Sequence, residues 1–117
     1  MKFGVLILEG PYQHQAADSA YQFIQAALEK GHEIVGVFFY TDGVHNVNKF
    51  QKPPGERIIG QRWSELGAQG IDCIACVAGS TYRGITEEIA VPNVRIAGLG
   101  QLVMITQEAD RLITFGD

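Results

Sequence analysis

Ile71–Gly84 reads IDCIACVAGSTYRG, and the fold turns on how this stretch is read. An apolar run, Ile71–Ala78, holds Cys73 and Cys76 and then breaks into Gly79-Ser80-Thr81-Tyr82-Arg83-Gly84. A short apolar run bounded by Gly and Ser predicts a strand buried on both faces, as in a parallel sheet. In an open α/β sheet, ligands and chemistry collect beyond the carboxyl ends of the strands. Cys76 therefore falls near the working edge, followed by two hydroxyls and the Arg83 guanidinium.

Further strands lie on either side. Phe3–Leu8 (FGVLIL) predicts the first and Ile34–Tyr40 (IVGVFFY) the second, the latter apolar on both faces. Between them Ser19 and Gln22 have capping-box spacing. Ala20, Phe23, Ile24, Ala27 and Leu28 then recur at helical spacing, and Gly31 is placed to stop the helix. Thr41–Gly55 reads as a long loop without regular structure, which marks it as functional or an interface. Pro53-Pro54-Gly55 ends it and introduces a second helix through Ile59, Trp63 and Leu66. After the central stretch, Thr86-Glu87-Glu88 predicts a short helix with Pro92 as its boundary. Val94–Ala97 is the fourth strand, Gly98-Leu99-Gly100 opens a helix to roughly Glu108, and Leu112–Phe115 is the fifth strand. Strands alternating with helices predict a single α/β domain over 1–117: three layers, α/β/α, around a five-stranded, mainly parallel sheet. Strand order does not follow from the sequence.

Composition narrows the function. Apolar residues make up 46% of 117, with 14 glycines, which fits a globular chain. A net charge of −4, with Lys49 and Lys52 too sparse for a basic face, argues against direct nucleic-acid binding. No run approaches the roughly 20 apolar residues of a membrane span, and Phe3–Leu8 is too short for a signal-peptide core. Two cysteines without an export signal suggest reduced thiols and a cytoplasmic setting.

The strand-following loops carry Tyr12 and His14, then Asp42, His45 and Asn46, then Ser80, Tyr82 and Arg83. All are expected at one edge, with Cys76 nearby; His32 precedes its strand and belongs to the opposite edge. Cys73 and Cys76 form a C-x-x-C, but a redox pair needs a helical turn to join its sulfurs. Three residues of strand span about 10 Å and point an odd-numbered pair to opposite faces, which disfavours a disulfide. Cys73 reads as a buried small hydrophobe. Cys76 reads either as another buried thiol or as a thiolate favoured by Arg83. Ser80 and Thr81 read first as caps of the next helix. His14, His45, Asp42 and Cys76 lack tight ligand spacing, and Gly98-x-Gly100 lacks the third glycine of a dinucleotide loop, so neither metal nor cofactor is expected.

Five stretches together resemble the DsrE/TusD group of the DsrE-like sulfur-relay family: Gly10–Phe23, Ala27–Ile34, Val37–Asn48, Cys76–Ile85 and Gly98–Leu102. The resemblance implies a cytoplasmic α/β/α subunit that carries sulfane sulfur as a persulfide on Cys76, the residue matching the family's carrier cysteine, with Arg83-Gly84 closing the motif. Cys73 matches no family cysteine. Assembly with related subunits in a heterohexamer is implied, as is exchange with small sulfur-carrier proteins without direct RNA contact. The setting is either oxidation of stored sulfur or tRNA 2-thiouridine formation. The alternative is a structural subunit with an inert Cys76. Arg83 and a helix start near Ser80 are expected to favour the thiolate, with Tyr12, His14 and His45 lining the entry. Two departures stand out: Gly79-Ser80-Thr81 replaces an alanine-rich segment, and Gly84–Gly98 is about a dozen residues shorter than the resemblance implies.

Overall fold

Five strands form one all-parallel sheet in the order β4-β3-β2-β1-β5 in the computed structural model, which describes residues 1–116. They are β1 Lys2–Ile7, β2 Glu33–Phe39, β3 Asp72–Cys76, β4 Val94–Ala97 and β5 Arg111–Phe115. The helices are α1 Ala16–Glu29, α2 Ile59–Ala68, α3 Val77–Tyr82 and α4 Leu99–Glu108. Each expected strand is present, with ends within one or two residues.

Strand order and crossover handedness explain the layers. From β1 to β4 the chain steps in one direction, and right-handed crossovers place α1, α2 and α3 on one face. The step from β4 to β5 reverses direction across the whole sheet and puts α4 on the other. Packing agrees: Trp63 of α2 stacks edge-on against Phe39 (5.1 Å) and Tyr21 (5.8 Å), while Ile105 of α4 sits over Gly4 and Gly36, where any Cβ would collide with it. Phe38, Phe39 and Trp63 are fully buried. Truncating one such aromatic costs about 3–5 kcal/mol, so these side chains anchor the layers to the sheet.

Four expectations are corrected. The central strand ends at Cys76, not Ala78, because Val77 already starts α3. Helix α1 begins at Ala16 with Gln15 as its N-cap, so Ser19 lies in the first turn, its amide bonded to the Gln15 carbonyl (2.9 Å), rather than in a capping box. Thr41–Gly55 is not structureless: Thr41–Val47 forms a 3₁₀ helix held against β1. Thr86–Glu88 makes a turn, not a helix, because Ala90 is drawn into an antiparallel bridge with Asn48 and leaves no room for a second helical turn. The expected stop at Gly31 is present: its φ of +83° lets the amides of Gly31 and His32 reach back to Leu28 and Ala27.

Gly84–Gly98 is compact. Ile85 is buried, and the amides of Lys49 and Val91 bond the carbonyls of Ile89 (2.9 Å) and Val47 (2.8 Å), stitching the segment to the chain that follows the 3₁₀ helix.

Candidate functional site

Three strand-following segments meet at the carboxyl edge: Leu8–Gln15 after β1, the 3₁₀ helix after β2, and α3 after β3. A backbone approach that admits only glycine brings the first two together. A Cβ on Gly43 would stand 2.1 Å from the Ile7 carbonyl oxygen. Asn46, fully buried, donates through Nδ2 to the carbonyls of Glu9 and Gly43 (both 2.9 Å). The Thr41 hydroxyl reaches the Leu8 (2.9 Å) and Tyr40 (2.7 Å) carbonyls, and Thr41 itself takes φ +50°, an unusual value for a non-glycine. Backbone of this kind persists where surrounding bonds over-determine it.

Cys76 stands where strand becomes helix. Its extended φ/ψ of −61°/127° makes it the N-cap of α3, and it is 1% exposed. In register it faces Ala97 of β4, while the β2–β3 pairing ends one residue earlier, at Phe39 and Ala75. On that side the 3₁₀ helix replaces a strand: the space above Gly79 is bounded by Val44, the Thr41 amide and the Cys76 Cβ, at 3.5, 3.6 and 3.7 Å from where a Gly79 Cβ would lie. Cys73 lies inside the sheet, opposite Val37 and Val94. Burial, and secondarily the charge of Asp72, pushes its thiol up to about 12, so it stays neutral. Both cysteines are free thiols.

The expected supporting residues separate into three groups. Tyr12, His14 and His45 line one open cleft of about 460 Å³, together with Asp42 and Gln51. His14 Nδ1 approaches Glu9 at 3.7 Å. Arg83 closes the second group: Nε donates to Asp42 (2.8 Å) and Nη1 to the Gly79 carbonyl (3.1 Å), so its hydrogen bonds tie α3 to the 3₁₀ helix rather than reaching Cys76. The hydrogen bond and charge of Arg83 hold the Asp42 carboxyl below the usual carboxylate range. Ser80 stands alone. It is one helical turn into α3 and not its cap, is 1% exposed, and its Oγ has no hydrogen-bond partner among the described residues; the helix start expected near Ser80 falls at Cys76 instead. Among the described residues, no group of three or more His, Cys, Asp or Glu has the geometry to hold a metal.

Tyr12 does more than line the cleft. Its hydroxyl donates to the Arg57 carbonyl (2.8 Å) and accepts from the Ile59 amide (3.0 Å), capping α2 from a distant loop. Neither this cap nor the Asp42–Arg83 pair is visible in sequence spacing, since each joins segments about forty residues apart.

A family model described as the DsrE/DsrF-like family matches residues 1–115. The DsrE protein of Allochromatium vinosum, whose name proposes a sulfurtransferase, is 52% identical over 130 aligned positions that cover all of both chains. Sulfurtransferase TusD of Serratia proteamaculans is 39% identical, over 94% of this chain and 96% of that protein. The DsrE alignment spans 130 positions against the 117 residues of this chain, so it contains gaps. Among solved structures, the ychN protein from E. coli matches with a TM-score of 0.88 at 25% identity, over 98% of this chain and 99% of that one. A protein of unknown function from Methanobacterium thermoautotrophicum matches with a TM-score of 0.78 at 18% identity, over 97% of each chain, a likeness of fold alone.

Proposed function

The chain belongs to the DsrE/DsrF-like family, and from that membership we propose that it is a sulfur-carrier subunit, a single cytoplasmic DsrE-like domain that holds sulfane sulfur as a persulfide on Cys76. The observation that carries this reading is the place of Cys76 at the strand-to-helix turn on the carboxyl edge, beside the cleft-forming loops. The names of the DsrE and TusD relatives support sulfur transfer as the chemistry.

The transfer is thiol–persulfide exchange. The Cys76 thiolate attacks the outer sulfur of a donor persulfide; the donor's S–S bond breaks, and its electron pair leaves on the donor thiolate. An acceptor thiolate then attacks the outer sulfur on Cys76 and returns the pair to Cys76. No net oxidation occurs. Rates follow thiolate fraction, leaving-group pKa and access. Access is the demanding factor, because Cys76 is 1% exposed. In this reading the sulfur is reached when α3 shifts off the 3₁₀ helix. The Arg83–Asp42 pair holding them is exposed, and such pairs are weak in water. His14, His45 and Tyr12 line the approach in this reading, and Ser80, buried within α3, belongs to the element that shifts. Related subunits in a heterohexamer and small sulfur-carrier proteins are the partners, in sulfur oxidation or in a tRNA 2-thiouridine relay.

The burial of Cys76 favours a second reading, a structural subunit with an inert cysteine. Intact-mass analysis separates the two. After incubation with a persulfide donor, the carrier gains one sulfur (about 32 Da), removed by reductant, lost in Cys76→Ser and kept in Cys73→Ser. If the wild type gains nothing from any donor while still assembling with related subunits, the structural reading replaces the carrier.

A further inference from the structure

Beyond the 3₁₀ helix the chain runs Lys49-Phe50-Gln51-Lys52, then turns through Pro53–Gly55 toward α2. The backbone here is fixed by the bonds of Lys49 and Val91 described above and by the Phe50 amide, which bonds Asn48 Oδ1 at 2.9 Å. The Phe50 side chain nevertheless stays 67% exposed on this pinned backbone. It borders a cleft of about 470 Å³ whose walls include Lys49, Lys52, Ile58, Val91 and Pro92, with no carboxylate among the lining residues. Lys49 Nζ lies 5.3 Å from the Phe50 ring centroid. Among the described residues the ion pairs draw their cations from His14, Arg57, Arg62, Arg83 and Arg95, which leaves Lys49 and Lys52 without carboxylate partners.

We propose that this groove docks an acidic segment of a partner protein through one apolar side chain seated among Phe50, Ile58 and Val91, with carboxylates on Lys49 and Lys52. Charge complementarity selects that occupant. The chain as a whole carries −4 and repels acidic partners, whereas this groove presents two cations and no anion. An exposed aromatic on a rigid backbone, rimmed by charge, is the usual composition of an interface anchor. The volume suits a few side chains rather than a nucleotide chain, and two lysines are too few to track a phosphate backbone. Cys76 lies outside the groove, so the proposal goes beyond the sulfur-carrier reading and does not depend on it.

The test is fluorescence anisotropy on the intact chain with a labelled peptide in which glutamates flank a central phenylalanine, against the same peptide with lysine in place of each glutamate. The expected result is saturable binding of the acidic peptide only. Binding should weaken with salt and by about tenfold or more in Lys49→Glu/Lys52→Glu and in Phe50→Ala, and remain unchanged in Cys76→Ser. All three groove positions are surface side chains, and an unaltered thermal midpoint checks that the variants stay folded. Equal binding of the two peptides, absence of saturation at about 1 mM, or indifference to both variants overturns the proposal. So does tighter, lysine-dependent binding of single-stranded oligouridylate, which assigns the groove to nucleic acid. Loss of self-association in Phe50→Ala without peptide binding also overturns it, since a second copy then fills the groove. None of these outcomes bears on whether Cys76 carries sulfur.

Discussion

Within β3, Cys73 has a strand on either side, with Val37 and Val94 as neighbours, and its thiol is pushed up to about 12. Three residues on, Cys76 has a strand on one side only, caps a helix, and borders a space walled by the 3₁₀ helix. Both are 1% exposed, so burial alone does not distinguish them. What differs is what can move. The surroundings of Cys73 are sheet, whereas those of Cys76 are two short helices joined by an exposed ion pair. Burial thus keeps the Cys73 thiol neutral at pH 7, which removes it from thiolate chemistry.

Replacing either cysteine with serine should therefore give opposite results. Cys76→Ser abolishes persulfide formation yet leaves unfolding free energy within a few tenths of a kcal/mol, because serine is a favoured N-cap. Intact mass and urea titration read the two effects, and a large stability loss in this variant breaks the comparison. Gly43→Ala comes next: a methyl group 2.1 Å from the Ile7 carbonyl must lift the 3₁₀ helix from β1, costing about 3 kcal/mol. Hydrogen exchange should speed up along Thr41–Val47 while β3 stays protected. Cys73→Ser buries an unpartnered hydroxyl and costs about 1–3 kcal/mol with sulfur loading intact. Its pH signature sharpens the contrast. An elevated folded-state pKa stabilises the fold below the unfolded thiol value of 9.0, and that stability is lost as pH rises from there toward about 12. Cys73→Ala should flatten the alkaline limb. The smallest effect is at acid pH. Asp42 is held low by Arg83, so its contribution is present above the ordinary carboxylate value and fades as pH falls through the depressed one. Asp42→Asn should remove that slope and quicken alkylation of Cys76.

The strands were legible because a parallel sheet buries both faces and writes continuous apolar runs; Phe3–Leu8 and Ile34–Tyr40 needed no other signal. The same continuity hid the start of α3. Val77 and Ala78 suit either state, and a cysteine N-cap carries no sequence signature, so the apolar pattern runs two residues past the strand's true end. The 3₁₀ helix was illegible for another reason: it is held by Gly43 against Ile7 and by Asn46 on Glu9, contacts set by tertiary approach rather than local preference. Cys76, His14, His45 and Tyr12 could be assigned to one edge from strand polarity alone. The Tyr12 cap on α2 and the Arg83–Asp42 tie could not, because each joins distant segments whose meeting depends on strand order.

That strand order also has a consequence in time. Among the described residues β5 pairs with β1 alone, and the Lys2–Asp110 bond beside that pairing spans 108 residues. As the chain leaves the ribosome, β1 to β4 can stack in the order they are made, but one flank of β1 stays open until β5 emerges. Closing so long a loop is slow, and throughout that interval an unpaired strand edge is available to any other nascent chain. The final strand thus acts as a clasp, and shortening or delaying it should show first as aggregation during synthesis rather than as lost activity.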